Sequence, residues 1–270
     1  MSNIARAFQD GKAFIPFITA GDPSVAVTEE CIRAMARAGA DLIEIGIPFS
    51  DPTAEGPVIM AANERALAGG VTTDDVFAMV ARLREGEGGP AVRVPFVFMT
   101  YANVVFSYGV ERFMERAAQA GVDGLILPDV PFEERGEFAD PAQQCGLDLV
   151  SMVAPTSKDR IRTIAREASG FVYVVSSLGV TGMRSEITTD VGELVSHIRE
   201  VSDVPAAIGF GISTPEQARS MAQVADGAIV GSAIMKIVAA RGAQAPVEVE
   251  AYVSRMAQAV HGASDATPGV

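Results

Sequence analysis

Eight short apolar runs alternate with amphipathic stretches along nearly the whole chain, and this alternation limits the fold more than any other feature. The runs are Ala13–Thr19, Asp41–Gly46, Val94–Met99, Gly124–Leu127, Asp148–Met152, Phe171–Ser176, Ala206–Phe210 and Gly227–Val230. Most lack polar alternation, as expected of parallel strands covered on both faces. Helical spacing fills the intervals: Val110, Phe113, Met114 and Ala117 recur at i, i+3, i+4 and i+7, marking one buried face. Gly39, Gly121, Gly146 and Gly170 stand where C-cap glycines belong, after a helix and before a strand. Repetition of the strand–helix unit favours an α/β fold of the (β/α)8 TIM-barrel type, the alternative being an open doubly wound sheet. The 270 residues fit one barrel domain spanning 1–270. A short extra helix is expected at Ile4–Gln9, a last outer helix at Val247–Val260, and a frayed tail at 262–270.

Charge narrows the partners. A formal net charge of −13 argues against nucleic-acid binding, which needs clustered Lys and Arg. Anionic substrates stay open, because backbone amides bind phosphate without a basic patch. No 18-residue apolar stretch and no apolar leader segment occurs, so a cytoplasmic protein that does not touch membranes is expected. Cys31 and Cys145 are the only cysteines. Cys31 shares helical spacing with Ala34, Met35 and Ala38, which reads as core packing rather than a disulfide or metal site.

Within this frame one residue is chemically out of place. Glu44 sits in the second apolar run on the same strand face as Leu42 and Gly46. A carboxylate there is costly unless it is ion-paired or keeps its proton. Glu44 is therefore either a structural ion pair or a proton carrier in a dry site, near the strand end where barrels keep their chemistry.

Two glycine-marked turns suggest where an anion binds. The seventh strand runs into Gly209-Phe210-Gly211-Ile212-Ser213, and the eighth into Gly231-Ser232 at a helix start. Exposed N–H groups at both strand ends form the usual phosphate position of such barrels, although either turn alone is only a tight turn. Ser213 and Glu216 have capping-box spacing, with Pro215 suited to the first helical turn. The polar, glycine-hinged stretch 177–190 has the composition of a lid, the alternative being a plain disordered surface loop.

What is scarce narrows the reaction. Lysine occurs only at Lys12, Lys158 and Lys236, none well placed for a Schiff base at a strand's C-terminal end. Histidine occurs only at His197 and His261, both in helical patterns, so no His-rich metal site is expected. What remains is carboxylate acid/base chemistry on a phosphorylated substrate. Tyr101 and Tyr173, near strand ends, either hydrogen-bond within the site or simply pack, and Phe17 either lines an apolar pocket or packs.

The motifs Pro16–Pro23, Glu44–Pro57, Tyr101-Ala102-Asn103, Gly179–Gly182 and Gly209–Ser213 resemble the tryptophan synthase α chain, and the resemblance runs from about Phe14 to Lys236. It implies a lyase that cleaves indole-3-glycerol phosphate to indole and glyceraldehyde 3-phosphate. Protonation of the indole ring at C3 supplies the electron sink that a Schiff base or metal would otherwise provide. By matched position, Glu44 is the principal acid/base residue and Glu55 the carboxylate that faces the indole N–H. Asp is the commoner residue at position 55, and Gln at position 60, where this chain has Met60. Glu55 keeps the charge but adds a methylene, which alters its reach.

The resemblance further implies Phe17, Tyr101 and Tyr173 around the indole, Thr181 as the lid residue, and Gly182, Phe210, Gly211, Gly231 and Ser232 around the phosphate. It also implies a β-chain partner in an αββα assembly, with Asp51, Pro52, Asn103, Phe106, Asp129 and Pro131 at the contact. Pyridoxal phosphate belongs to that partner, and no cofactor is expected on this chain. Indole passing through a tunnel and mutual activation of the chains are further implications. Competing readings are a stand-alone indole-releasing lyase, a binding subunit with little chemistry of its own, and a phosphosugar epimerase or isomerase.

Overall fold

Every strand pairing in the structure, a computed structural model describing residues 3–175, 191–209 and 211–263, is parallel. The strands are β1 (Ala13–Thr19), β2 (Ile43–Gly46), β3 (Phe96–Met99), β4 (Gly124–Ile126), β5 (Asp148–Leu149), β6 (Ser151–Val153), β7 (Val172–Val175), β8 (Ala206–Gly209) and β9 (Gly227–Val230). They lie in the order β5-β4-β3-β2-β1-β9-β8-β7-β6.

The expected fifth strand, Asp148–Met152, is divided between β5 and β6, which accounts for nine strands in place of eight. β5 pairs with β4 and β6 pairs with β7. Val150 lies between the two halves and donates its N–H to Leu125 O at 2.9 Å. The two ends of the strand order are thus neighbours in sequence, and the ring comes round through one strand that changes partner. An open doubly wound sheet would instead end on two strands remote from each other in the chain.

β2, β3 and β7 begin one or two residues later than the apolar runs suggest. Asp41 and Leu42 precede β2, and Asp41 uses its carboxylate to accept the Phe14 N–H at 2.7 Å. All seven residues of β1 are buried, as parallel strands covered on both faces require. The expected helix face of Phe113, Met114 and Ala117 is buried in helix Val110–Ala120. Cys31, Ala34 and Met35 are likewise buried in helix Val25–Arg37. The first helix is only Asn3–Arg6, with Ile4 fully buried, and the last extends over Ala245–His261. The tail 264–270 lies outside the described residues.

Among the described residues, two of the intervals between strands carry two α-helices each. Between β2 and β3 the chain forms Pro57–Ala68 and Thr73–Glu85, and between β3 and β4 it forms Ala102–Tyr108 and Val110–Ala120. The added helices follow the C-terminal ends of β2 and β3, so the loop between β2 and Pro57 is held at the same rim as Glu44. Among the described residues no helix is long and apolar enough to cross a membrane.

Candidate active site

Strand register builds the site from β1 outward. Phe17 pairs with Glu44 of β2, and Glu44 with Val97 of β3. The Phe17 ring lies over Gly46, where an added Cβ would come within 2.7 Å of its Cζ. On the other arc Gly209 leaves room for Tyr173, whose hydroxyl would lie 2.4 Å from a Cβ at that position. The two glycines therefore admit the rings of Phe17 and Tyr173 where larger residues would collide with them.

Glu44 is 1 % exposed, and its Oε1 has no hydrogen-bond partner among the described residues. No Lys, Arg or His among the described residues pairs with it. Among the described residues, then, no ion pair accounts for a carboxylate in this strand. Burial, and secondarily the nearby charge of Glu55, pushes the Glu44 carboxyl up to about 8. At neutral pH it therefore carries its proton, the remaining way for an unpaired carboxyl to sit in a dry site.

Glu55 reaches the same rim from the loop after β2. Turn hydrogen bonds fold that loop: Thr53 N–H donates to Asp51 O at 2.9 Å and Glu55 N–H to Pro52 O at 3.1 Å. The hydroxyl oxygen of Tyr101, at the end of β3, accepts the Ala54 N–H at 3.2 Å. The Tyr101 ring stacks on Phe49 with centroids 5.2 Å apart. Tyr101 thus braces the loop that carries Glu55, a role the sequence did not suggest. Glu55 itself is buried, and burial raises its carboxyl to about 7 against the opposing hydrogen bond from Asn63. Tyr173 is kept neutral by burial and by Glu44 beside it.

Asn63 went unremarked in the sequence. It donates from Nδ2 to Glu55 Oε2 at 2.6 Å. A signal was present, since Ile59, Ala62, Asn63 and Ala66 form the buried stripe of helix Pro57–Ala68, and an amide within such a stripe needs a polar partner. Met60, on the same helix, is 41 % exposed.

The two glycine turns differ at their helix starts. Helix Pro215–Val224 is closed by a capping box of Thr214 and Gln217, one residue beyond the expected Ser213 and Glu216. Pro215 takes the first helical position, which sets the cap at Thr214. Gln217 Oε1 also accepts from Ser213 N–H at 2.9 Å, and the Tyr252 hydroxyl donates to Ser213 O at 2.9 Å. Helix Ser232–Arg241 has no side-chain cap at Gly231, so its first-turn N–H groups are left for an anion. Gly211 has φ +81°, a left-handed conformation suited to glycine. Thr181, Gly182, Phe210 and the expected lid 177–190 lie outside the described residues.

Of the six expected partner positions, Asp51, Asn103, Phe106, Asp129 and Pro131 are exposed, while Pro52 is buried. The loops after β2, β3 and β4 carry them to the rim shared with Glu44 and Glu55. The Asp129 carboxylate accepts the Ala102 N–H at 3.1 Å, fixing the start of helix Ala102–Tyr108. Among the described residues no cluster of His, Cys, Asp and Glu is arranged to hold a metal ion.

A protein family described as "Tryptophan synthase alpha chain" matches residues 4–261. The tryptophan synthase alpha chain of Lacticaseibacillus casei is 48 % identical over 260 residues, 96 % of each chain. That of Geobacter sp. (strain M21) is 47 % identical over 92 % of each. Among solved structures, Mycobacterium tuberculosis tryptophan synthase matches with a TM-score of 0.85 at 34 % identity, covering 96 % of this chain and 98 % of that one. The alpha chain of Legionella pneumophila subsp. pneumophila matches with a TM-score of 0.85 at 35 % identity, covering 98 % and 100 %.

Proposed function

The chain belongs to the tryptophan synthase alpha chain family, lyases that cleave indole-3-glycerol phosphate to indole for a beta-chain partner, and we propose that Glu44 and Glu55 carry that cleavage here. The observation behind this reading is the pair of buried carboxyls at one barrel rim, neither matched to a cation among the described residues and both raised toward neutrality.

Cleavage needs two proton movements, one onto ring C3 and one off the side-chain hydroxyl. Glu44, protonated at rest, gives its proton to C3 and so generates the ring cation. As a carboxylate it then takes the hydroxyl proton while the carbon–carbon bond breaks and its electrons enter the ring. It ends in the state in which it began. Glu55 stays anionic and accepts a hydrogen bond from the indole N–H, opposing the positive charge as it develops. Phe17 and Tyr173 line the indole side, with Tyr101 bracing the loop between them. Gly211, Gly231 and Ser232 offer N–H groups to the phosphate, joined by Gly182 and Phe210, and Thr181 closes over the site.

In this reading residues 1–270 act as one cytoplasmic barrel domain without a cofactor. Two such chains flank a β dimer in an αββα assembly that holds pyridoxal phosphate on β. Asp51, Pro52, Asn103, Phe106, Asp129 and Pro131 form the contact, through which indole passes and each chain activates the other. The experiment is an indole-release assay on indole-3-glycerol phosphate with and without the β chain. Release that rises severalfold on adding β is expected, whereas release unaffected by β supports a stand-alone lyase and overturns the assembly.

A further inference from the structure

The amide of Asn63 is the only side chain among the described residues that grips Glu55. It does so from a helix that is itself pinned. Two residues further along that helix, Arg65 holds the fully buried Asp22 through two bonds of 2.8 and 2.7 Å. Asp22 lies just beyond β1, the strand that places Phe17 in register with Glu44. The position of Glu55 relative to Glu44 is thus set by three links: β1 to Asp22, Asp22 to Arg65, and Asn63 to Glu55. Loop turns and the Tyr101 clamp act on the backbone of residues 53–55. The Glu55 carboxylate needs a separate hold, because its extra methylene adds a rotatable bond compared with Asp.

We propose that Asn63 is a positioning residue for the lyase reaction, holding Oε2 of Glu55 so that Oε1 is presented to the indole N–H. The inference rests on the reading of Glu55 given above. A neutral amide suits the task better than a cation. It orients the carboxylate and favours its ionised form without pairing off the charge that the developing indole cation requires. Around Glu55, Glu44 from β2 and Tyr101 from the end of β3 both feel its charge, and Asp51 in its own loop and Asp129 act on Tyr101 as well. All are acidic or neutral, so Asn63 is the group that favours the carboxylate form.

The test uses the α chain in complex with β, measuring indole release from about pH 5.5 to pH 9. Asn63→Leu removes the donor at similar volume. We expect kcat to fall about 10- to 100-fold with KM nearly unchanged, and the acidic limb of kcat/KM to move up by about one pH unit. Asn63→Gln keeps the donor but overreaches by one methylene. Adding Glu55→Asp in that background restores the summed length, and kcat should recover at least about tenfold, a coupling that independent sites do not show. A structural role alone would lower the melting temperature without moving the pH limb or producing the coupling, and that result overturns the inference. Glu55→Gln separates the two readings. If it leaves the parental rate, Glu55 is not catalytic. If it abolishes the rate while Asn63→Leu leaves the pH limb in place and the coupling is absent, only the role of Asn63 fails. Should Asn63→Leu not fold, the Gln/Asp pair decides.

Discussion

At the N-terminal rim of the barrel, Asp41, Asp123 and Asp226 each accept a backbone N–H from a neighbouring strand: Phe14 at 2.7 Å, Phe96 at 2.8 Å and Ala206 at 2.9 Å. Each also meets a basic side chain: His261 at 2.8 Å, Arg84 at 2.8 Å and Arg199 at 3.0 Å. At the C-terminal rim, Glu44 and Glu55 have no such cation among the described residues, and the Oε1 atom of Glu44 has no partner. The same functional group thus does two jobs in one barrel. A carboxylate given an N–H and a cation has its charge compensated and serves to fasten adjacent strands. Glu44, denied both among the described residues, keeps its proton near neutrality and is ready to move it. The (β/α)8 architecture separates the two uses by the height of a strand.

The largest effect should come from removing the proton carrier. Glu44→Gln keeps the shape of the side chain and its burial, and indole release should fall about 10³-fold, within the range of general acid–base contributions. A rate within tenfold of the parent would refute the assignment. The same variant tests the energetic side of the comparison. The Glu44 carboxyl is raised from 4.5 to about 8 in the folded chain, so the folded state binds more protons than the unfolded one between those values. Stability contributed by this group is present below the unfolded value and is lost as pH rises towards the folded one. Glu44→Gln should therefore gain in melting temperature over the parent as pH goes from about 5 to about 8, while losing its activity. Thermal melts across that range check the sign.

At the opposite rim the outcome should invert. Asp123→Asn leaves a hydrogen-bonding side chain beside Phe96 but removes the charge opposite Arg84, whose partners in the pair are 17 % and 12 % exposed. Arg84 keeps its bonds to the carbonyls of Gly121, Val92 and Val94, which limits the damage. A loss of about 2 kcal/mol is expected, somewhat less than for breaking a fully buried pair. Urea unfolding measures it. The rate of indole release per folded molecule should stay at the parental value, and a fall in kcat at unchanged stability would break the division between the rims.

Which parts of this arrangement could be read in advance follows from the range of the interactions. The strand–helix alternation is local, and so is the oddity of a carboxylate among Ile43, Ile45 and Leu42, so barrel and proton carrier were both legible. The division of the fifth strand at Val150 was not, because it depends on two neighbours, β4 and β7, that are far apart in sequence. The capping box of Pro215–Val224 was displaced by one residue because Ser213 and Thr214 are both competent caps. Asn63 was missed because its stripe becomes visible only once the helix start at Pro57 is fixed. The three N-terminal aspartates were missed as a set for the same reason as Val150. Each precedes one strand but serves its neighbour, a relation that only the ring order reveals.

The smallest effect probes the member of that set whose basic partner is a histidine. His261 ends the last helix and meets Asp41, with the side chains 42 % and 29 % exposed. The hydrogen bond to Asp41, aided by its charge and opposed by burial, raises the His261 imidazole above 6.5. Stability from this contact is full below the unfolded value and is lost as pH rises through the raised folded one. Solvent screening at such exposure holds it to less than about 1 kcal/mol. His261→Gln should therefore melt below the parent at about pH 6 and converge with it near pH 9. The gap at the lower pH should shrink as salt is raised to about 1 M. If the gap instead persists unchanged to pH 9, the contact acts through packing of the last helix rather than through charge. The compensation seen at Asp123 would then not extend to the third rim position. Indole release should be indifferent to this substitution at every pH, because the clasp lies at the barrel end remote from Glu44.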